Sequence, residues 1–97
     1  MSLAPEHPWI RVAELSEHVG ETVTLRGWVG NRRSSGKIHF IEVRDGSGTV
    51  QVVAGKNDVS EEDFEAARTL TQESAVEIVG SVRTDNRSAL GVEMGMD

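Results

Sequence analysis

Alternating apolar and polar residues predict a first β-strand over Thr22–Arg32. Its inward positions are Val23, Leu25 and Val29, and its outward positions are Thr24 and Arg26. Gly27 interrupts this alternation, and a glycine inside a strand is typical of a bulge or of close approach by another backbone. We therefore expect the strand to bend at Gly27.

The second predicted strand, Lys37–Arg44, places its residues on two very different faces. One face carries His39, Ile41 and Val43, and the other carries Ile38, Phe40, Glu42 and Arg44. Because Glu and Arg are rarely fully buried, the second face is expected to contact solvent. This puts an aromatic ring, Phe40, on the surface, and it makes His39 a hydrogen-bonded core residue rather than a ligand or a base.

A third strand follows a glycine-rich turn, Asp45–Gly48, of the kind that joins hairpins. This strand, Thr49–Ala54, points Val50 and Val52 inward and Gln51 outward. Phe40 and Gln51 are therefore expected on the same outer face, on neighbouring strands.

The remaining pattern predicts two helices and two further strands. A short helix over Ile10–Val19 has Val12, Leu15 and Val19 on one face, and a second helix runs from the N-cap Ser60 to about Leu70. The strands are Ser74–Thr84 and Leu90–Met96, joined by a polar turn over Asp85–Ala89, and Glu93 has the outward parity in the last one. Residues 1–9 are expected to be a flexible lead-in to one domain over residues 10–97.

The order of elements, β-β-β-α-β-β behind a short helix, predicts an all-β fold. A five-stranded Greek-key barrel with a helix between strands three and four is the plan of the OB-fold. An SH3-like small barrel is the alternative. The length and position of the second helix favour the OB-fold.

Length and composition exclude several classes of function. The 97 residues allow one small domain, and the lack of cysteine excludes disulfides and thiolate zinc sites. The three histidines are far apart, and no phosphate-binding glycine loop is present, so we expect neither catalysis nor a metal site in this domain. We find no signal peptide and no apolar run long enough for a membrane span, so a cytoplasmic protein without membrane contact is expected.

Charge is distributed unevenly along the chain. The net charge is −6, yet the stretch from Thr22 to Lys56 holds six of the ten Lys and Arg and only two of the sixteen acidic residues. An acidic body repels phosphate in general, while a basic strip admits it locally. The basic residues coincide with the predicted strands.

Together these residues predict a site for single-stranded nucleic acid on the face of strands two and three. Phe40 would stack on a base, and Gln51 would hydrogen-bond a base edge. The cations that would contact phosphates and base edges are Arg26, Arg32, Arg33 and Lys37. Alternatives remain: a contact under a loop for Phe40, an ordinary exposed residue for Gln51, and a solubilising turn for the arginines.

A succession of short motifs resembles the N-terminal anticodon-binding domain of class II aspartyl-, asparaginyl- and lysyl-tRNA synthetases. The motifs are Gly27-Trp28-Val29, Arg32-Arg33, Gly36-Lys37-Ile38-His39-Phe40, Arg44-Asp45-Gly46-Ser47-Gly48 and Val50-Gln51-Val52. They are specific as a set, and the resemblance runs from about Val12 to Asp97. The residues of these motifs are most similar to those of bacterial asparaginyl-tRNA synthetases, and the aspartyl enzymes come second.

The resemblance implies roles for particular residues. Phe40 would stack on the central uridine of the anticodon, Gln51 would bond the edge of that base, and Arg33 would contact bases or backbone. Glu93 would lie near the first anticodon base, as an acid does in aspartyl relatives. The partner implied is the tRNA anticodon loop.

The resemblance also implies what lies outside this chain. The class II signature motifs are missing, so we expect an anticodon-binding domain that is not itself an enzyme. The parent would be an ATP-dependent aminoacyl-tRNA ligase, with ATP and Mg²⁺ bound only in its catalytic domain. That parent is expected to be a homodimer, and the isolated domain a monomer.

Two other functions fit the same predicted fold. A general binder of single-stranded DNA or RNA would show sequence-tolerant, strongly salt-dependent binding. A protein-interaction barrel would use Phe40 as an anchor for a protein partner instead.

Overall fold

The computed structural model describes residues 8–88 and 90–97, in which five strands close into a barrel. The strands are β1 (Thr22–Ser35), β2 (Ile38–Arg44), β3 (Thr49–Gly55), β4 (Ala75–Thr84) and β5 (Val92–Met96). Their order around the barrel is β1-β2-β3-β5-β4, and the described pairs are antiparallel except for the parallel pair β3–β5. A 3-10 helix (Val12–His18) precedes β1, and α1 (Glu61–Arg68) lies between β3 and β4. This confirms the OB-fold that we predict from the order of elements.

The barrel interior is filled by the residues that alternation assigns to the inner faces. The fully buried aliphatic side chains include Val23, Leu25, Val29, Ile41, Val43, Val50 and Val52. Burial of such side chains is the main favourable contribution to folding, at about 1.5–3 kcal/mol for each one. The parity predicted for the first three strands is therefore correct at these inward positions.

Strand β1 is long because it belongs to both halves of the barrel. Residues Thr22–Trp28 pair with β4, and residues Trp28–Ser35 pair with β2. Gly27 lies at this crossing, where a Cβ atom would come within 2.3 Å of the backbone oxygen of Arg44. The predicted close approach at Gly27 is confirmed, while the shift in strand register lies farther along, between Val29 and Asn31.

Thr24 is buried, although its parity predicts an outward side chain. The first half of β1 has one edge that β2 does not reach, and residues 8–10 cover it. The N–H of Thr24 donates to the Pro8 carbonyl at 2.8 Å, and the N–H of Ile10 donates to the Thr24 carbonyl at 3.0 Å. Pro8 and Trp9, which we assigned to a flexible lead-in, are therefore paired with β1, and the remainder of that segment lies outside the described residues.

The N-terminal helix differs from the prediction in its pitch and its end. A 3-10 helix has about three residues per turn, so Val12 and Leu15 share one face and are buried. Val19 lies in the turn that follows the helix and is 45% exposed, so the prediction that it shares this apolar face is wrong.

Helix α1 packs against β2 and β3. The Oγ of Ser60 accepts a hydrogen bond from the N–H of Asp63 at 3.0 Å, as predicted for an N-cap. Ala67 is buried, and Phe64 and Leu70 are partly buried. No helix among the described residues has the length and apolar character to cross a membrane.

Candidate nucleic-acid interface

Phe40 lies on the outer face of the barrel, with its ring partly exposed. Its neighbours across the sheet are Arg33 on β1 and Val53 on β3. The flanking residues His39 and Ile41 point into the barrel and are buried, which is why the ring of Phe40 must point outward. The guanidinium carbon of Arg33 lies 4.1 Å from the centre of the Phe40 ring, so the cation covers part of the aromatic face.

Gln51 shares this face with Phe40. It pairs with Glu42, which is two residues from Phe40 on β2 and therefore on the same side of the sheet. An open pocket of about 440 Å³ is lined by Arg33, Phe40, Gln51, Asp85, Arg87 and Ser88. The ring and the amide thus meet in one pocket, as the parity of their strands predicts, and one of the predicted arginines joins them there.

The third wall of this pocket comes from the turn between β4 and β5. The Oδ1 of Asp85 accepts from the backbone N–H of Arg87 at 3.1 Å and from its Nε at 3.3 Å. The backbone N–H of Arg87 lowers the pKa of Asp85, while partial desolvation opposes that change, so the carboxylate stays ionised near neutral pH. Arg87 is highly exposed beside this carboxylate.

The residues of this turn were not among our predicted site residues. In the Greek-key order β5 lies between β3 and β4, so the turn that leads into β5 reaches the side of Gln51. Two features of the sequence could have indicated these residues. One is the polar turn, in which an aspartate precedes an arginine by two positions, and the other is the strand order of the OB-fold, which places this turn near β3. Ala89, the end of the predicted turn Asp85–Ala89, lies outside the described residues.

Arg32 lies away from the pocket, although it is adjacent to Arg33. Successive strand residues point to opposite faces, and Arg32 opposes the buried Ile41. Its Nε donates to the Leu70 carbonyl at 3.0 Å, and its Nη1 donates to the Oγ of Ser34 at 2.9 Å. Arg32 is therefore not part of a cluster with Arg33 at the pocket.

Arg26 and Lys37 are also outside the pocket. Arg26 lies on the first half of β1, where its Nε donates to Glu77 at 2.8 Å and its guanidinium is 5.2 Å from the Trp9 ring. Lys37 is exposed in the turn between β1 and β2. Of the four predicted cations, Arg33 is the one that lines the pocket with Phe40 and Gln51.

Glu93 is buried, with 8% of its surface exposed, although its parity predicts a solvent-facing carboxylate. Its cross-strand neighbour Arg83 covers it, and the Nε of Arg83 donates to Oε2 at 2.5 Å. The carboxylate of Glu93 is thus occupied by an arginine from β4, and Glu93 is not one of the residues that line the pocket.

His39 is a core residue, as predicted, and is 3% exposed. Its Nδ1 lies 2.7 Å from the Oγ of Ser34, and its ring stacks on Phe64 with 4.2 Å between ring centres. The imidazole is hydrogen-bonded at Nδ1 as predicted, whereas Nε2 has no hydrogen-bond partner among the described residues. Within the part of the chain that the structure describes, no group of three or more His, Asp or Glu could hold a metal ion.

The burial of His39 predicts a pH-dependent stability. Desolvation, with smaller contributions from Arg32 and Arg68, lowers the pKa of His39 from its ordinary value of 6.5. Below about pH 6.5 the unfolded chain therefore binds this proton more tightly than the folded chain does. The free energy of unfolding should fall as the pH drops through this range, by at most about 1.4 kcal/mol per pH unit, and this loss should stop below the folded-state pKa.

Urea unfolding between pH 8 and pH 5.5 measures this effect, with His39→Gln as the variant that cannot take up the proton. His39→Gln should lose less stability than the unmodified protein as the pH falls. His18→Gln is the control, because His18 is only partly buried and lies 3.1 Å from the carboxylate of Glu21. Parallel curves for the unmodified protein and His39→Gln would contradict the prediction.

Comparison with known proteins matches residues 23–94 to the family model tRNA_anti-codon, an OB-fold nucleic acid binding domain. An asparagine–tRNA ligase from Sorangium cellulosum is 54% identical over 84 residues, which are 87% of this chain and 19% of the relative. The structure is similar to asparaginyl-tRNA synthetase from Pyrococcus horikoshii in complex with asparaginyl-adenylate. The TM-score is 0.83 at 40% identity, over 90% of this chain and 20% of that one.

A putative aspartyl-tRNA synthetase from Leishmania major is also similar in structure. Its TM-score is 0.81 at 30% identity, over 99% of this chain and 21% of that one. The chain therefore spans about a fifth of the length of the relatives that it matches.

Proposed function

This chain belongs to the tRNA anticodon family of OB-fold nucleic acid binding domains, and from that membership we propose that it binds the anticodon loop of a tRNA. The observation that carries the proposal is the pocket in which Arg33, Phe40 and Gln51 meet. An unstacked base needs an aromatic face, a group that reads its edge and a cation for its phosphate, and this pocket supplies all three.

The central base of the anticodon stacks on Phe40 in this proposal. Arg33 covers the ring in the free protein, so the base must replace the guanidinium there. A cation–π contact at an exposed site is worth about 0.5–1 kcal/mol, whereas a stacked base is worth about 1–3 kcal/mol. The exchange is favourable, and it frees the guanidinium of Arg33 to contact the phosphate or the second face of the base.

Gln51 hydrogen-bonds the edge of the base. Its amide offers a donor and an acceptor side by side. The edge of uracil presents the complementary pair, the N3–H donor and the O4 acceptor. A uridine at the centre of the anticodon therefore satisfies the amide, while a cytidine places an acceptor at N3 and a donor at N4 and requires the amide to turn over.

Arg87 is a further RNA contact in this proposal. It lines the same pocket as Phe40 and is highly exposed, so its guanidinium is available to a phosphate of the bound strand. Asp85 holds the backbone of the turn at Arg87, which limits the conformations that the turn must give up on binding.

We propose the asparagine enzyme as the parent because the 54% identical relative is an asparagine–tRNA ligase, whereas the putative aspartyl structure is 30% identical. Aminoacylation with ATP and Mg²⁺ would take place in the remaining length of such a ligase. A homodimeric parent in the cytoplasm belongs to the same proposal.

The test is a titration of the chain with the asparagine anticodon stem-loop and with the same stem-loop whose central uridine is changed to cytidine. A wrong base at a directly read position costs about 1–3 kcal/mol, so the altered stem-loop should bind about 5- to 150-fold more weakly. Fluorescence anisotropy at fixed salt measures both affinities. Equal affinity for the two RNAs would overturn the proposal.

Homopolymers and a salt series separate this function from general binding to single strands. A sequence-tolerant binder would bind several homopolymers alike, with an affinity that falls steeply as salt increases. The anticodon-specific domain should prefer the matched stem-loop at every salt concentration. Comparable affinity for homopolymers would support the general binder instead.

A further inference from the structure

A chain of hydrogen bonds lies behind the pocket, on the face of β1 opposite to Arg33. Arg32 and Ser34 flank Arg33, and the Nη1 of Arg32 donates to the Oγ of Ser34 at 2.9 Å. The same Oγ lies 2.7 Å from the Nδ1 of His39 on β2. The cross-strand pair Ser34–His39 is adjacent to the pair Arg33–Phe40, so this chain and the pocket share one section of the sheet.

This hydrogen-bonded chain is anchored at both ends in the body of the domain. At one end the Nε of Arg32 donates to the carbonyl of Leu70, just after α1, at 3.0 Å. At the other end His39 is buried and stacks on Phe64 of α1. The single hydroxyl of Ser34 joins these two anchors.

The segment that these anchors hold is the exposed end of the hairpin. Beyond the register shift at Val29–Asn31, residues 33–38 are exposed, so few apolar contacts fix their backbone. Exposed hairpin ends open at low free energy unless side chains hold them to the core. The position of Arg33 over Phe40 therefore depends on how firmly its two neighbours are held.

We infer that Ser34 is a positioning residue, which holds Arg33 over Phe40 by linking Arg32 to His39 on the other side of the strand. The inference rests on the proposed function only for its effect on RNA, because the hydrogen bonds of Ser34 to Arg32 and His39 and the contact of Arg33 with Phe40 are all present in the free protein. Ser34 acts through Arg33, without contacting RNA.

The first experiment needs no RNA. The Phe40 ring current shifts the NMR signals of the Arg33 side chain in the free protein, because the guanidinium lies 4.1 Å from the ring centre. Ser34→Ala should move the Arg33 side-chain signals towards their values in Phe40→Ala, while Ser34→Thr, which keeps a hydroxyl, should retain most of the shift. Ser35→Ala is the matched control, since the Ser35 side chain makes no hydrogen bond among the described residues. Unchanged Arg33 signals in Ser34→Ala would overturn the inference.

The second experiment is a double-mutant cycle with the matched stem-loop. The loss of a hydrogen bond that positions a contact should weaken binding about 3- to 10-fold in Ser34→Ala. If Ser34 acts through Arg33, the same change in an Arg33→Ala background should have little further effect, because the two losses are not additive. Equal losses in both backgrounds would overturn the inference and assign Ser34 a general structural role.

Failure of the proposed function and failure of this inference give different results. An unmodified chain that does not discriminate the central base would overturn the proposed function, and the NMR comparison would still decide whether Ser34 positions Arg33. Thermal melting of each variant checks that it remains folded. Ser34→Ala is expected to lower the melting temperature more than Ser35→Ala, because it leaves the Nδ1 of the buried His39 without its partner.

Discussion

Phe40→Ala is expected to weaken binding of the matched anticodon stem-loop by about 1–3 kcal/mol, or about 5- to 150-fold in Kd. The substitution removes the ring on which the central base stacks, and it also removes the surface that holds Arg33 in place. Discrimination between the uridine and cytidine stem-loops should shrink as well, because Gln51 reads a base that is no longer held. Anisotropy titrations of both RNAs measure these effects.

Ile38→Ala is the matched control for Phe40→Ala. Ile38 lies on the same outer face of β2, two residues from Phe40, and is 37% exposed, but it is not among the residues that line the pocket. Its substitution should leave affinity nearly unchanged. Phe40→Trp should keep binding, because it keeps a stacking surface. Equal losses in Phe40→Ala and Ile38→Ala would show that general apolar contact, rather than stacking at one position, accounts for the binding.

Gly27→Ala is expected to destabilise the domain by about 1–3 kcal/mol or more. The new Cβ would come within 2.3 Å of the backbone oxygen of Arg44, so β1 or β2 must move at the point where β1 passes from one half of the barrel to the other. A backbone atom cannot rotate away as the end of a side chain can. Urea unfolding at pH 7 measures the loss as a lower midpoint.

Gly30→Ala supplies the control within the same strand. There the added Cβ would meet the Oε1 of Glu42 at 2.8 Å, and this carboxylate is the flexible end of an exposed side chain. A small shift of Glu42 relieves the clash, so Gly30→Ala should cost much less stability than Gly27→Ala. Similar losses at the two positions would contradict the explanation from backbone contact.

The outer face of the sheet could be predicted because strand parity is a local property. Phe40 is predicted outward because it shares its parity with Glu42 and Arg44, and Gln51 is predicted outward because the apolar Val50 and Val52 flank it. The same rule separates Arg32 from Arg33, but parity counted from the inward Val29 places Arg33 inward. The register shift between Val29 and Asn31 reverses this and turns Arg33 to the outer face. Total charge along a segment carries no such information about direction.

The residues that sequence reasoning missed depend on contacts between distant parts of the chain. Asp85, Arg87 and Ser88 reach the pocket because β5 closes the barrel beside β3, which alternation within one strand does not reveal. Two further contacts have a similar origin, since residues 8–10 pair with the backbone of Thr24 and Arg83 covers the carboxylate of Glu93. Local patterns predict which face a residue is on, but not what another segment places over that face.

The pairing of residues 8–10 with β1 also affects whether two copies of this barrel can associate through a strand edge. An unpaired strand edge presents N–H and C=O groups on which a second molecule can add a strand, and such contacts lead to aggregation. Here the backbone of Thr24 is already paired with Pro8 and Ile10, so that stretch of edge offers no template for intermolecular sheet formation. Residues 8–10 thus protect this stretch of β1 from edge-to-edge pairing with a second molecule.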